Sequence, residues 1–129
     1  MTAITIVDES TLGEKHAWNL DLLEETISLR EFIRRRVYQE VTEYNARQCG
    51  FFRGLVQPTD AERTLNGFRL KTVHKLDWQR HYEQAIEAFA QHRYLVLVND
   101  RQVADLDASL TLHTGIEVTF LKLVPLIGG

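Results

Sequence analysis

Tyr94-Leu95-Val96-Leu97-Val98-Asn99-Asp100-Arg101-Gln102-Val103 decides how the last third of the chain is read. Tyr94 to Val98 form an apolar run that stops at turn-forming residues, which predicts a buried strand. Asn99-Asp100-Arg101 is a turn. Gln102-Val103 opens a short return strand. Ala104 to Gly115 then forms a loop anchored by Leu106, Leu110 and Leu112. Ile116-Glu117-Val118-Thr119-Phe120-Leu121-Lys122-Leu123-Val124 places Ile116, Val118 and Phe120 on one face and predicts the last strand. Pro125-Leu126-Ile127-Gly128-Gly129 follows it.

Upstream, Ala3 to Val7 is β-branched material at strand period, and Asp8 to Gly13 reads as a turn region. Trp18, Leu20 and Leu22 alternate with Asn19 and Asp21, which predicts a second strand and an antiparallel hairpin. Ser28 followed by Glu31 fits a capping box. Leu29, Ile33, Val37 and Val41 then recur at helical spacing, with Phe32 and Tyr44 beside them. Arg34, Arg35, Arg36 and Glu40 fall mostly off that stripe. They read as a solvated helix face in preference to a docking patch for an acidic partner. Gln48 to Lys75 is rich in breakers (Gly50, Gly54, Pro58, Asn66-Gly67) and reads as an insertion with one or two short elements. Asp77 caps a second amphipathic helix that carries Trp78, Tyr82, Ala85, Ile86 and Phe89.

The 129 residues correspond to about one domain, with 44% apolar and 26% charged residues, as in an ordinary globular protein. A net charge of −3 argues against non-specific nucleic-acid binding. The single cysteine, Cys49, excludes an intrachain disulfide and fits a reducing compartment. Met1 to Glu9 lacks the basic region of a signal peptide, and no apolar run is long enough to span a bilayer. A cytoplasmic protein without membrane partners is the expectation.

With the insertion set aside, the element order is strand, strand, helix, strand, short strand, strand, Gly-Gly. This order resembles the ubiquitin-like β-grasp family, which includes ubiquitin and the small bacterial sulfur carriers of molybdopterin and thiamine thiazole synthesis. Val98-Asn99-Asp100-Arg101-Gln102-Val103, Thr114-Gly115-Ile116-Glu117-Val118-Thr119-Phe120 and Val124-Pro125-Leu126-Ile127-Gly128-Gly129 are similar to the carriers' pattern of valine-asparagine, turn, valine, turn glycine, strand and diglycine tail. The resemblance covers roughly residues 2–47 and 94–129. The segment from about Gln48 to Arg93 has no counterpart in it, and the apolar tail with Pro125 is closer to the sulfur carriers than to ubiquitin.

The resemblance implies an α+β fold: a β-grasp mixed sheet packed on one long helix, with an inserted segment carrying a second helix. Residues 1–129 would form a single domain, 48–93 the insertion and 124–129 an extended tail. It also implies a protein modifier or sulfur carrier, not an enzyme. A ubiquitin-activating-type partner would spend ATP to adenylate the Gly129 carboxylate, and a thiol or sulfide would convert the adenylate to a thioester or thiocarboxylate. A target protein or sulfur acceptor would follow. The chain itself would bind no cofactor. Gly128 and Gly129 lack Cβ atoms and can thread a narrow channel. Val124, held extended by the proline after it, would join Pro125, Leu126 and Ile127 in contacting the partner. The alternative is a non-covalent protein-binding β-grasp module with a passive tail.

Other constellations carry less. No two of His16, His74, His81, His92 and His113 stand at the i, i+4 spacing of a helical zinc pair, and there is no second cysteine. No metal site or catalytic residue is expected. Cys49 reads as an incidental thiol rather than a nucleophile, and Asp105 and Asp107 as solvated loop residues. Phe51, Phe52 and Phe68 read as a satellite core, and Trp18 and Trp78 as core anchors.

Overall fold

The computed structural model describes residues 2–47, 49–58, 61–64 and 67–123. In chain order its elements are β1 (Thr2–Ser10), β2 (Lys15–Leu22), β3 (Thr26–Ser28), α1 (Leu29–Arg47), β4 (Phe51–Phe52), β5 (Ala61–Arg63), β6 (Phe68–Leu70), α2 (Trp78–Ala90), β7 (Tyr94–Val98), β8 (Arg101–Val103), β9 (Ser109–Thr111) and β10 (Glu117–Lys122). The class is α+β, with a mixed sheet and two helices. Two compact units divide it: Met1–Glu31 with Ala88–Gly129, and Phe32–Glu87.

In the first unit five strands pair in the order β2-β1-β10-β7-β8. β1 and β10 run parallel, with Thr5 opposite Glu117 and Ser10 opposite Lys122, and the other pairings are antiparallel. Register places Ile4, Ile6, Leu20, Leu22, Val96, Val118 and Phe120 on one face, and all are buried. Between β7 and β8 the turn shrinks to Asn99 and Asp100, with φ of 47° and 67°. Positive φ at both positions gives the mirror-image turn whose twist matches two right-twisted strands, and Arg101 thereby joins the return strand. β1 extends through Ser10, so the turn region expected from Asp8 shortens. Gly13, at φ 93°, donates its N–H to the Ser10 carbonyl at 2.9 Å. The loop expected over 104–115 contains β9, which pairs with β3 and buries Leu110 against Ile27. Leu112 is buried and Leu106 is half-buried.

α1 starts as the capping box requires: Ser28 Oγ accepts the Glu31 N–H at 3.1 Å. The carbonyls of Ala108 and Leu106 take the Leu29 and Arg30 N–H groups at 3.0 and 2.9 Å. These bonds occupy donors that a helix start would otherwise leave orphaned. Two adjacent i, i+4 rows are buried on this helix, Leu29-Ile33-Val37-Val41 and Phe32-Arg36-Glu40-Tyr44. The second row corrects the solvated-face reading of Arg36 and Glu40.

In the second unit the insertion forms a three-stranded sheet ordered β4-β6-β5, more structure than one or two short elements. Asn45 clamps the segment before α2, its side chain accepting the Leu76 N–H at 2.7 Å and donating to the Leu76 carbonyl at 2.9 Å. Asp77 Oδ1 accepts the Gln79 N–H at 3.0 Å, the cap expected for α2. Among the described residues no helix is long and apolar enough to cross a membrane.

Candidate functional site

Gly128 and Gly129, with Val124, Pro125, Leu126 and Ile127, lie outside the described residues. The strand that leads to them, β10, is the middle strand of its sheet and is tied at both ends. At its start Asn99 makes two bonds to Glu117: its N–H donates to the Glu117 carbonyl at 3.0 Å, and its Oδ1 accepts the Glu117 N–H at 3.2 Å. The asparagine after Val98 thus shapes a left-handed turn and caps a neighbouring strand. At the far end the Thr11 N–H donates to the Lys122 carbonyl at 3.1 Å, and the Leu123 N–H donates to the Arg93 carbonyl at 2.9 Å.

Arg93 is itself positioned by the end of α2. The His92 N–H bonds the Phe89 carbonyl at 3.0 Å and the Arg93 N–H bonds the Ala88 carbonyl at 3.0 Å, with His92 at φ 57°. This is the Schellman arrangement with histidine at the position glycine usually takes. The chain therefore leaves β10 between two fixed walls, the β1–β2 turn and the corner between α2 and β7. The first wall carries Leu12, 68% exposed, and the second carries the exposed Arg93, whose Nε donates to Gln91 Oε1 at 2.9 Å. Leu12, Thr11 and Arg93 went unrecognised in the sequence, because their place rests on the pairing of β10 with β1 on one side and β7 on the other. An exposed apolar and an exposed cationic side chain thus stand near the end of β10. Comparison with protein-family models, with curated proteins and with solved structures finds no match to this chain.

The second unit holds the most buried polar chemistry. Arg36 is 0% exposed, and its Nη2 meets Glu40 Oε2 at 2.9 Å. Glu40 Oε1 also accepts the Leu55 N–H at 3.2 Å. Both rows of α1 lie at core spacing, so the signal for this pair was Phe32 and Tyr44 bracketing Arg36 and Glu40 at i, i+4. Nearby in the same unit Phe52 is 1% exposed. Its ring meets Tyr44 and His81 edge-on at 5.5 Å each and stacks with Phe68 at 6.5 Å. Burial pushes the His81 imidazole below its ordinary 6.5, against the opposing pull of Asp77. This aromatic-packed histidine sits with Ala85 on the most buried row of α2, while Trp78, Tyr82, Ile86 and Phe89 are half-buried.

Phe52 and Phe68 are core residues, and Phe51 is half-buried. Trp18 and Trp78 are half-buried rather than core anchors. Trp18 Nε1 donates to Asp8 Oδ2 at 3.1 Å, while Tyr38 and Arg34 contact the Trp78 ring. Asp105 and Asp107 are exposed: Asp105 Oδ1 accepts the Asp107 N–H, and Asp107 faces Arg30 at 3.4 Å. Cys49 is exposed, its thiol 3.3 Å from the Phe51 carbonyl, and His74 is exposed with its Nδ1 2.6 Å from the Thr72 carbonyl. Among the described residues no group of three or more His, Cys, Asp or Glu is placed to hold a metal ion.

Proposed function

We propose that this chain is a β-grasp carrier or modifier of the ubiquitin-like kind, activated by adenylation at the Gly129 carboxylate. One observation carries the proposal: β10 is the middle strand of the order β2-β1-β10-β7-β8, parallel to β1, and runs directly toward Val124-Pro125-Leu126-Ile127-Gly128-Gly129. That order is the one the β-grasp reading expects, and the bonds at both ends of the central strand support a functional segment after it. Leu12 and Arg93 at the exit supply contacts for an activating enzyme beside the tail. In the proposed reaction the Gly129 carboxylate attacks the α-phosphate of ATP bound by the partner and releases pyrophosphate. A thiol or sulfide then displaces AMP, leaving a thioester or a thiocarboxylate. Apolar Leu126 and Ile127 favour the sulfur-carrier form.

The reading requires a free carboxylate on Gly129, as encoded or after processing. Intact mass of the protein, purified from its own host without a C-terminal tag, tests it. A thiocarboxylate adds about 16 Da by exchange of oxygen for sulfur, and a conjugate adds a whole partner. Either species mapped to Gly129 supports the proposal. An unmodified chain under all growth conditions, with full activity after removal of Gly128-Gly129, refutes it and leaves a non-covalent binding module.

A further inference from the structure

β2 ends the five-stranded order, and among the described residues its only strand neighbour is β1. It pairs without a break from Lys15 to Leu22 and contains no proline. The opposite edge, β8, is three residues long. The backbone bonds of β1 fix which groups of β2 face outward. The Ser10 N–H donates to the Glu14 carbonyl at 2.9 Å, so hydrogen-bonded pairs toward β1 fall on Glu14, His16, Trp18, Leu20 and Leu22. The other side of β1 agrees, because Thr5 and Thr11, at odd positions, donate their N–H groups toward the β10 chain. Lys15, Ala17, Asn19 and Asp21 therefore aim their N–H and C=O groups at the open edge, and all four residues are exposed.

We propose that this edge is a self-recognition surface on which a second copy of the chain pairs antiparallel, with the two-fold axis at Trp18. Outward groups must meet outward groups, so odd positions pair only with odd positions. An axis at Trp18 sets Lys15 opposite Asp21 and Ala17 opposite Asn19, each twice by symmetry. An axis at Ala17 sets Lys15 opposite Asn19 and Asp21 opposite Gly13. An axis at Asn19 sets Lys15 opposite Leu23 and Asp21 opposite Ala17. Of these three, one register alone matches both charges. In that register Trp18 meets its own copy at a non-hydrogen-bonded position, where facing side chains come closest. Charges commonly guard an edge strand against foreign pairing. Here the same charges complement each other when the partner is this chain in this register.

Sedimentation equilibrium of the full chain from roughly 1 μM to 1 mM, the range of weak contacts, tests the surface. Wild type dimerises within that range. Lys15→Asp and Asp21→Lys each set like charges opposite and weaken the dimer at least about tenfold. The double variant K15D/D21K restores it to within about threefold of wild type. Ala17→Pro removes an outward N–H without touching the β1 ladder and gives a folded monomer by circular dichroism. The proposal falls if wild type is monomeric throughout. It also falls if the single charge variants or Ala17→Pro dimerise as wild type does, or if the double swap stays as weak as its parents.

Discussion

Replacing Glu40 by leucine removes the carboxylate that faces a guanidinium 0% exposed to solvent. Breaking one partner of a buried pair costs about 3–5 kcal/mol, because the remaining charge keeps its desolvation penalty while the Glu40 contact is lost. The Leu55 N–H loses its acceptor in the same step, a loss of about 1–3 kcal/mol that overlaps the first. Against a total stability of about 5–15 kcal/mol, this is a large fraction. With a urea slope of about 1–3 kcal/mol per M, the midpoint falls by roughly 1–5 M. A Trp18→Phe background leaves Trp78 as the sole tryptophan. Its ring contacts Tyr38 at 5.2 Å and Arg34 at 5.7 Å, so its fluorescence reports on the second unit. The double replacement Arg36→Met with Glu40→Leu removes both charges and recovers most of the loss, as apolar substitutes of similar size do for buried pairs. A single variant that loses less than about 1 kcal/mol, or a double variant less stable than Glu40→Leu, refutes the account of a buried pair in which each charge stabilises the other.

His81 predicts a pH dependence of definite sign. Its folded value lies below 6.5, so below pH 6.5 the unfolded chain binds the extra proton: stability is full above that pH and declines as the pH falls toward the folded value. The urea midpoint falls as the pH drops below about 6.5, and His81→Leu shrinks that slope; an unchanged slope in the variant refutes the assignment. Gly54→Ala would drive a Cβ into the Phe52 ring, which Tyr44, Phe68 and His81 hold from other sides. A loss of about 1–3 kcal/mol in thermal or urea unfolding is expected, against little change if the ring moves freely.

The parts of the fold legible in the sequence were those specified by neighbouring residues. Tyr94 to Val98 is bounded by its own turn, Ser28 and Glu31 mark the start of α1, and Asp77 marks the start of α2. What stayed hidden was specified by distant residues. Thr26-Ile27-Ser28 and Ser109-Leu110-Thr111 each bury one central residue and are too short to show a period. The pairing of Phe51-Phe52 with Phe68-Arg69 joins patches that read separately as breaks in an insertion. Arg36 was masked by the two arginines before it, which made a buried residue look like one more charge on a wet face. For the candidate site, Val98-Asn99 and the diglycine were visible, but the walls at the exit of β10 depend on strands far apart in the chain.

The central position of β10 also sets an order of events during synthesis. Thr5 cannot meet Glu117 until β10 has been made, and β7 has its other neighbour only at the same moment. Until then β1 and β2 form a two-stranded ribbon, which is marginal in water, and the open edges of β1 and β7 face each other's absence. The elements of the Phe32–Glu87 unit lie within one continuous stretch and can assemble earlier. The nascent protein thus passes through a stage in which its internal segment is organised while its N-terminal hairpin waits for the last strand to be made.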